Sequence, residues 1–277
     1  NRASIGDVPD FELVHQYETI NLYRHGAAAK LELNRPARLN AWNAQLGPDL
    51  LDAVKSVGED PDIRAVLVTG AGRSFSSGAD LRDNLQPGQS GYPDIYSVLT
   101  ERYHPIIVTI REMPKPVVSA VQGAAAGVGL SLALACDLVV AAESAYFLLA
   151  FVNIGLVPDG GSSLLVPARV GFARAMEMSM LGERIGAQQA LEWGLINRVW
   201  PDGELAERAG ELVARLADGP TRSYAGSKRQ LNSWLYQRMA EQLEMEAQIQ
   251  QEMATSQDFA EGRLAFTQKR KAQFSGA

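Results

Sequence analysis

Residues 116–142 constrain the fold more than any other part of the chain. PVVSAV (116–121) is a short, continuous apolar run of the kind found in a strand covered on both faces. It passes directly into Gly123-Ala124-Ala125-Ala126-Gly127-Val128-Gly129, then an apolar helix to Ala135 and a further strand at 138–142. A similar run, RAVLVTG (64–70), leads to GRSFSSGADLRD (72–83). Strand, small-residue loop and helix in repetition specify a mainly parallel sheet with helical layers, an α/β fold.

The remaining elements fit around this unit. Residues 17–23 and 28–33 alternate as an antiparallel pair turning at His25-Gly26, and 43–57 has helical spacing of apolar residues. Residues 96–113 read as helix despite Pro105, and 83–93 as a polar, glycine-rich loop. Helices are expected at 173–181 and 186–193, and a short strand at 196–200. From 202 onward nearly everything is helical, with stripes at Leu205, Leu212, Val213 and Leu216 and at Met239, Leu243, Ile249 and Met253. The expected organisation is a tail at 1–13, a core at 14–200 and a helical region at 201–277. Such a terminal region often packs on a neighbouring subunit.

Composition narrows the function classes. The 277 residues carry a net charge of −6, which argues against non-specific nucleic-acid binding while leaving room for a local cationic patch. No run is long enough to span a bilayer, and the single cysteine, Cys136, forms no internal disulfide, so a cytoplasmic location is expected. No His, Cys and carboxylate cluster has metal-ligand spacing, so no metal is expected.

Two places carry candidate chemistry. Ser77-Gly78-Ala79-Asp80 and Gly127-Val128-Gly129 each follow a buried strand and expose backbone N–H groups, the second at a helix N-terminus that favours negative charge. If they converge, the amides of Ala79 and Val128 can hold one oxygen, as an enolate or tetrahedral oxyanion requires. Close helix–sheet packing also selects glycine and alanine. The other place is Asp159, in GLVPDGG between two apolar runs, which reads either as a turn residue or as an acid–base group. Phe147, Phe151, Val152 and Leu156 around it would raise its pKa.

The succession NRPARLNA, FSSGADL, PKPVVSAVQGAAAGVGLSLALACD, GLVPDGG and ALEWGLI resembles the crotonase (enoyl-CoA hydratase/isomerase) superfamily over roughly 14–274. The resemblance is greatest to isomerase members of the 1,2-epoxyphenylacetyl-CoA isomerase type. It implies a spiral of strand–strand–helix units with a C-terminal helical oligomerisation region, assembled as trimers or dimers of trimers. It also implies that Ala79 and Val128 bind the oxygen of an acyl-CoA thioester. The two glutamates of the hydratases fall on Ser131 and Phe151, which removes the pair that hydration needs. Asp159 matches the carboxylate of the isomerases and, in 4-chlorobenzoyl-CoA dehalogenase, a nucleophile aided by a His that falls on His104.

The implied function is acyl-CoA isomerisation with Asp159 as the acid–base group. The alternatives are a hydratase with non-standard residues, an acyl-CoA-binding protein without catalysis and, less favoured, an aryl-CoA dehalogenase. Gly127, Ser131, Phe151 and His104 are pocket candidates, as is the 83–95 segment for the acyl group. Coenzyme A enters as part of the substrate, with no resident cofactor. Its expected contacts are Arg38, Leu39, Ser77, Asp80, Leu81, Lys228, Phe266 and Lys269, although cations on helical surfaces are often merely solvated.

Overall fold

The computed structural model describes residues 9–81 and 91–277. Strand β1 (Glu12–Gln16) opens a sheet with β2 (Ile20–His25) and β3 (Ala28–Leu33), each pair antiparallel. β1 is not foreshadowed by the sequence: Glu12 and Leu13, inside the expected tail, pair with Arg24 and Tyr23. All five of its residues are exposed, so no inward apolar face marks it in the pattern.

Helix α1 (Leu46–Glu59) and strand β4 (Ala65–Gly70) follow. The next helical passage comprises α2 (Ile95–Val98), a π turn at Leu99–Tyr103 and α3 (His104–Glu112). The widened turn comes just before Pro105, whose ring nitrogen has no proton for a carbonyl one turn back. Strands β5 (Val117–Val121) and β6 (Ala124–Ala126), helix α4 (Val128–Ala135), and strands β7 (Leu138–Ala142) and β8 (Tyr146–Leu148) succeed one another closely. A 3-10 turn at Ala150–Ile154 leads past Asp159 to α5 (Ser162–Leu165) and α6 (Pro167–Leu181). After β9 (Ile185–Gly186), α7 (Ala187–Glu192) and β10 (Arg198–Trp200) the chain is helical: α8 (Leu205–Asp218), α9 (Thr221–Leu235), α10 (Met239–Met253) and α11 (Gln257–Gln268). None of the described helices is long and apolar enough to cross a membrane.

The large sheet has the order β1-β2-β3-β4-β5-β7-β10, and every pair from β3 onward is parallel. A second stack rises beside it. Trp42 bridges Ala79, Ser76 bridges Ala125, and β6 pairs with β8, all parallel. Each turn of the chain therefore leaves one strand in the sheet and one extended segment in the second stack. β3 is followed by Trp42, β4 by 76–79, β5 by β6, and β7 by β8. The result is a spiral, and it sets the small-residue loops of successive turns side by side. The Gly/Ala stretch expected as a loop is thus partly strand, because β6 belongs to this second stack.

Both faces of the sheet are covered, which explains its unbroken apolar runs. Val66, Val68, Val117, Val121, Val139 and Ala141 face the main core, while Ala65, Leu67, Val118, Ala120, Val140 and Ala142 pack with Leu205, Ala209, Leu212, Val213 and Ala217 of α8. Leu67 is buried under α8, away from the small-residue loops. Leu67→Ala should cost about 2–5 kcal/mol in urea unfolding. A loss under about 1 kcal/mol would show that α8 contributes little to the fold.

Candidate active site

The expected convergence of the two amide loops is present. Gly78 has φ +90° and lies so close to Ala126 that a Cβ there would stand 2.8 Å from its carbonyl oxygen. Gly127 caps α4 with φ 53° and ψ −129°, a conformation closed to other L-residues, and this turn aims the Val128 N–H out of the helix. Beside Ala79, Trp42 N–H donates to Gly78 O and Asp80 N–H to Trp42 O, both at 2.8 Å. The bridge thus passes over Ala79. Among the described residues neither the Ala79 nor the Val128 N–H meets an acceptor. Both residues line one cavity of about 300 Å³. Two free N–H groups, one at the α4 N-terminus, can stabilise charge on a carbonyl oxygen.

Asp159 is on the wall of the same cavity and is 6% exposed. Its carbonyl oxygen accepts from Ser131 Oγ and Ser162 Oγ, each at 2.8 Å, and from Ser162 N–H at 3.1 Å. These bonds fix the turn that the two following glycines permit. In the side chain, Oδ2 accepts from Gln250 Nε2 at 2.6 Å, while Oδ1 is buried without a partner among the described residues. Burial pushes the pKa up to about 8. Gln250 acts against that rise and the charge of Glu246 adds to it. Phe151 and Leu156 supply part of the expected apolar surround, with Leu148, Ala150 and Ile154, whereas Phe147 and Val152 are outside the cavity wall.

Glu246 and Gln250, one turn apart on α10, were not singled out in the sequence. Glu246 accepts from Gly161 N–H at 2.8 Å, Ser163 N–H at 3.1 Å and Ser163 Oγ, and burial raises its pKa to about 7. The faces of α10 differ from expectation: Leu243, Glu246, Ala247 and Gln250 are buried, while Ile249 is exposed. The signal for them is the periodicity itself, since residues 246 and 250 continue the stripe begun at Leu243. α10 and α11 also close over the chain's own site instead of turning only to a neighbour. Gly262 of α11 is packed against the Ile154 backbone, and Phe266 reaches the cavity.

The structure brings Ser77, Ala79, Leu81, Gly127, Val128, Phe151, Asp159 and Phe266 to one cavity wall. Other candidates are placed elsewhere. Ser131 is behind Asp159 as a backbone anchor, not in the pocket. His104 is also behind the wall, with its neighbour Tyr103 in it. The His104 Nε2 is 3.8 Å from Glu246 Oε2, but burial drives its pKa down to about 4, so the imidazole is neutral and the contact is no ion pair at pH 7.

Asp80 is buried against Arg35 at 3.3 Å, and Leu39, in the left-handed region with φ 52°, offers its carbonyl to Ser77 N–H at 3.0 Å. Arg38 and Lys269 are exposed, outside the cavity wall. Lys228 is not a surface cation. It is buried, with Nζ 2.9 Å from Asp137 and donating to the Ile110 carbonyl at 2.7 Å. Of the segment expected to shape the acyl pocket, 83–90 lie outside the described residues.

This spiral, with its cavity between successive turns, is the crotonase fold. The chain matches the family model Enoyl-CoA hydratase/isomerase over residues 24–277 and belongs to that family. It is 42% identical over 246 residues to the 1,2-epoxyphenylacetyl-CoA isomerase of Escherichia coli, covering 89% of this chain and 94% of the relative. A probable enoyl-CoA hydratase of Rhodobacter capsulatus is 41% identical over 261 residues, 94% of this chain and 99% of the relative. The crystal structure of an enoyl-CoA hydratase from Mycobacterium avium subsp. paratuberculosis superposes with a TM-score of 0.85 at 37% identity, covering 94% of this chain and all of that one.

Two stability tests follow from these placements. Lys228→Met removes a buried partner of Asp137 and should lower stability by about 3 kcal/mol, with KM for acyl-CoA unchanged. A raised KM in a stably folded variant would return Lys228 to the nucleotide. For Asp159, the folded pKa of about 8 is above the 3.8 of an aspartate in water, so unfolding releases a proton between those limits. Its contribution is complete below pH 4 and lost as pH rises through 8. Asparagine cannot ionise, so the melting temperature of Asp159→Asn relative to wild type should climb by several degrees from pH 4 to pH 9. Parallel profiles would mean that the carboxylate is not desolvated.

Proposed function

We propose that this chain is an acyl-CoA isomerase that moves a double bond through a thioester enolate, with Asp159 as the acid–base group. The observation that carries this reading is that Asp159 is the only carboxylate on the cavity wall among the described residues. A double-bond shift needs one base, whereas hydration needs a base for water and an acid for the α-carbon. Family membership and the 42% identical relative named 1,2-epoxyphenylacetyl-CoA isomerase support the same reading.

In the proposed cycle, a 3-enoyl thioester rests with its carbonyl oxygen between the Ala79 and Val128 N–H groups. Ionised Asp159 removes an α-proton, and the C–H electron pair spreads through the double bond and onto that oxygen. The carboxylic acid so formed returns the proton to the γ-carbon, giving the 2-enoyl thioester and the starting carboxylate. Atoms and charge balance with no redox partner. A pKa near 8 narrows the gap between the base and a carbon acid whose enolate is held by two donors. The largely apolar wall, with Phe266 at one side, suits an apolar acyl group. Epoxide or ring isomerisation by the same proton shuttle belongs to this reading.

Arg38 and Lys269, both exposed, are proposed contacts for the nucleotide of coenzyme A, with Leu39, Ser77 and Leu81 nearer the thioester. Assembly as trimers or dimers of trimers is supported by apolar side chains left exposed on α9 and α6, among them Leu231, Trp234, Phe172 and Met180.

Purified protein with 3-enoyl-CoA should show the absorbance of the conjugated product. Asp159→Asn should reduce kcat by at least about 10³-fold. Because only the ionised carboxylate is a base, kcat/KM should fall about tenfold per pH unit below about 8. Turnover in Asp159→Asn equal to wild type would defeat the base assignment. Formation of 3-hydroxyacyl-CoA from 2-enoyl-CoA as the faster reaction would instead establish the hydratase. Acyl-CoA binding without chemistry would establish a binding protein.

A further inference from the structure

The Asp159 carboxylate has two chemically equivalent oxygens, yet its surroundings are unsymmetrical. Gln250 is wholly buried on α10, 91 positions further along the chain. Its amide makes two bonds to the loop that carries Asp159: Nε2 donates to Oδ2 at 2.6 Å, and Oε1 accepts from Val157 N–H at 3.2 Å. The second bond fixes which end of the amide faces the carboxylate, because only the NH₂ group can donate and only the oxygen can accept. One turn earlier, Glu246 holds the other side of the same loop through the Gly161 and Ser163 N–H groups. α10 therefore grips the loop on both flanks of Asp159.

We infer that Gln250 is a positioning residue for the proposed acid–base group: it ties down Oδ2 and leaves Oδ1 as the oxygen that exchanges the substrate proton. This rests on the reading of Asp159 as the base. Without the amide the carboxyl can rotate about its last bond and present either oxygen, so part of the bound population is misaligned for proton transfer. The same donor favours the ionised form, and its loss makes the group harder to ionise. The other titratable groups nearby are Glu246, on the same helix, His104, which faces Glu246 from α3, and Tyr103 on the cavity wall. None of them donates a hydrogen bond to the Asp159 carboxylate in the structure.

The test compares wild type, Asp159→Asn and Gln250→Met, a replacement of similar length without a donor, across pH 5–10 with 3-enoyl-CoA. Gln250→Met should lower kcat by about tenfold or more with KM within twofold. Its acid limb in kcat should shift to higher pH by at least half a unit, since the remaining carboxylate has lost the Gln250 donor. A purely structural role would lower stability or active fraction without displacing that limb. Should Gln250→Met not fold, Gln250→Asn, one methylene too short to reach both partners, should show the same displacement.

An inactive Asp159→Asn with an unshifted limb and near-normal kcat in the folded Gln250 variant overturns the positioning role alone. An active Asp159→Asn overturns the base assignment and the positioning role with it.

Discussion

A carboxylate held out of water, with Gln250 its one hydrogen-bond donor among the described residues, is the interaction on which the rest of this structure turns. Left exposed, Asp159 would be an ordinary acid and a poor base for a carbon-bound proton. Burial supplies the basicity, and burial requires a wall on every side. The spiral provides one through Val128 and Phe151, and α10 provides another through Gln250. An apolar site with no donor at all would hold the group neutral and useless as a base. A site with several donors would return it to ordinary acidity. Gln250 opposes desolvation without cancelling it.

The two N–H groups have a different origin. They come from adjacent turns of the spiral and depend on backbone geometry alone, so they are insensitive to the side chains borne at residues 79 and 128. Asn40 fastens the neighbouring loop into this arrangement. Its Oδ1 accepts from Arg35 N–H at 2.9 Å, and its Nδ2 donates to Ala71 O and Ser74 O at 3.0 and 2.7 Å. A buried amide with both ends satisfied stabilises an otherwise irregular loop, including the left-handed backbone of Leu39 and Asn40 themselves.

Much of this was legible in the sequence for identifiable reasons. The parallel strands are covered on both faces and so appear as unbroken apolar runs. Gly78 and Gly127 are visible because only glycine suits their backbone, and Asp159 because it is a lone acid between apolar segments. Strand β1 was hidden because it buries nothing. Glu246 and Gln250 keep the helical spacing from Leu243, but a stripe traced through apolar residues alone passes over them because they are polar. Lys228 is expected at the nucleotide of coenzyme A but is buried against Asp137, 91 residues earlier in the chain, a distance over which no local pattern carries information. His104 is a pocket candidate because it falls on the position of the dehalogenase His, and one position separates it from Tyr103, which is on the wall.

The placement of Phe266 and Gln250 on helices outside the spiral divides labour within one cavity. In the proposed reading the thioester oxygen is held by the backbone of the spiral and the base stands on the loop before α5, whereas the tether on that base and part of the cavity wall come from α10 and α11. On that reading, substitutions in these two helices retune the carboxylate and reshape the acyl wall. The Ala79 and Val128 N–H groups, being backbone, stay untouched by such changes. Diversity of reaction on a constant anchor is the evolutionary freedom that this modular construction confers.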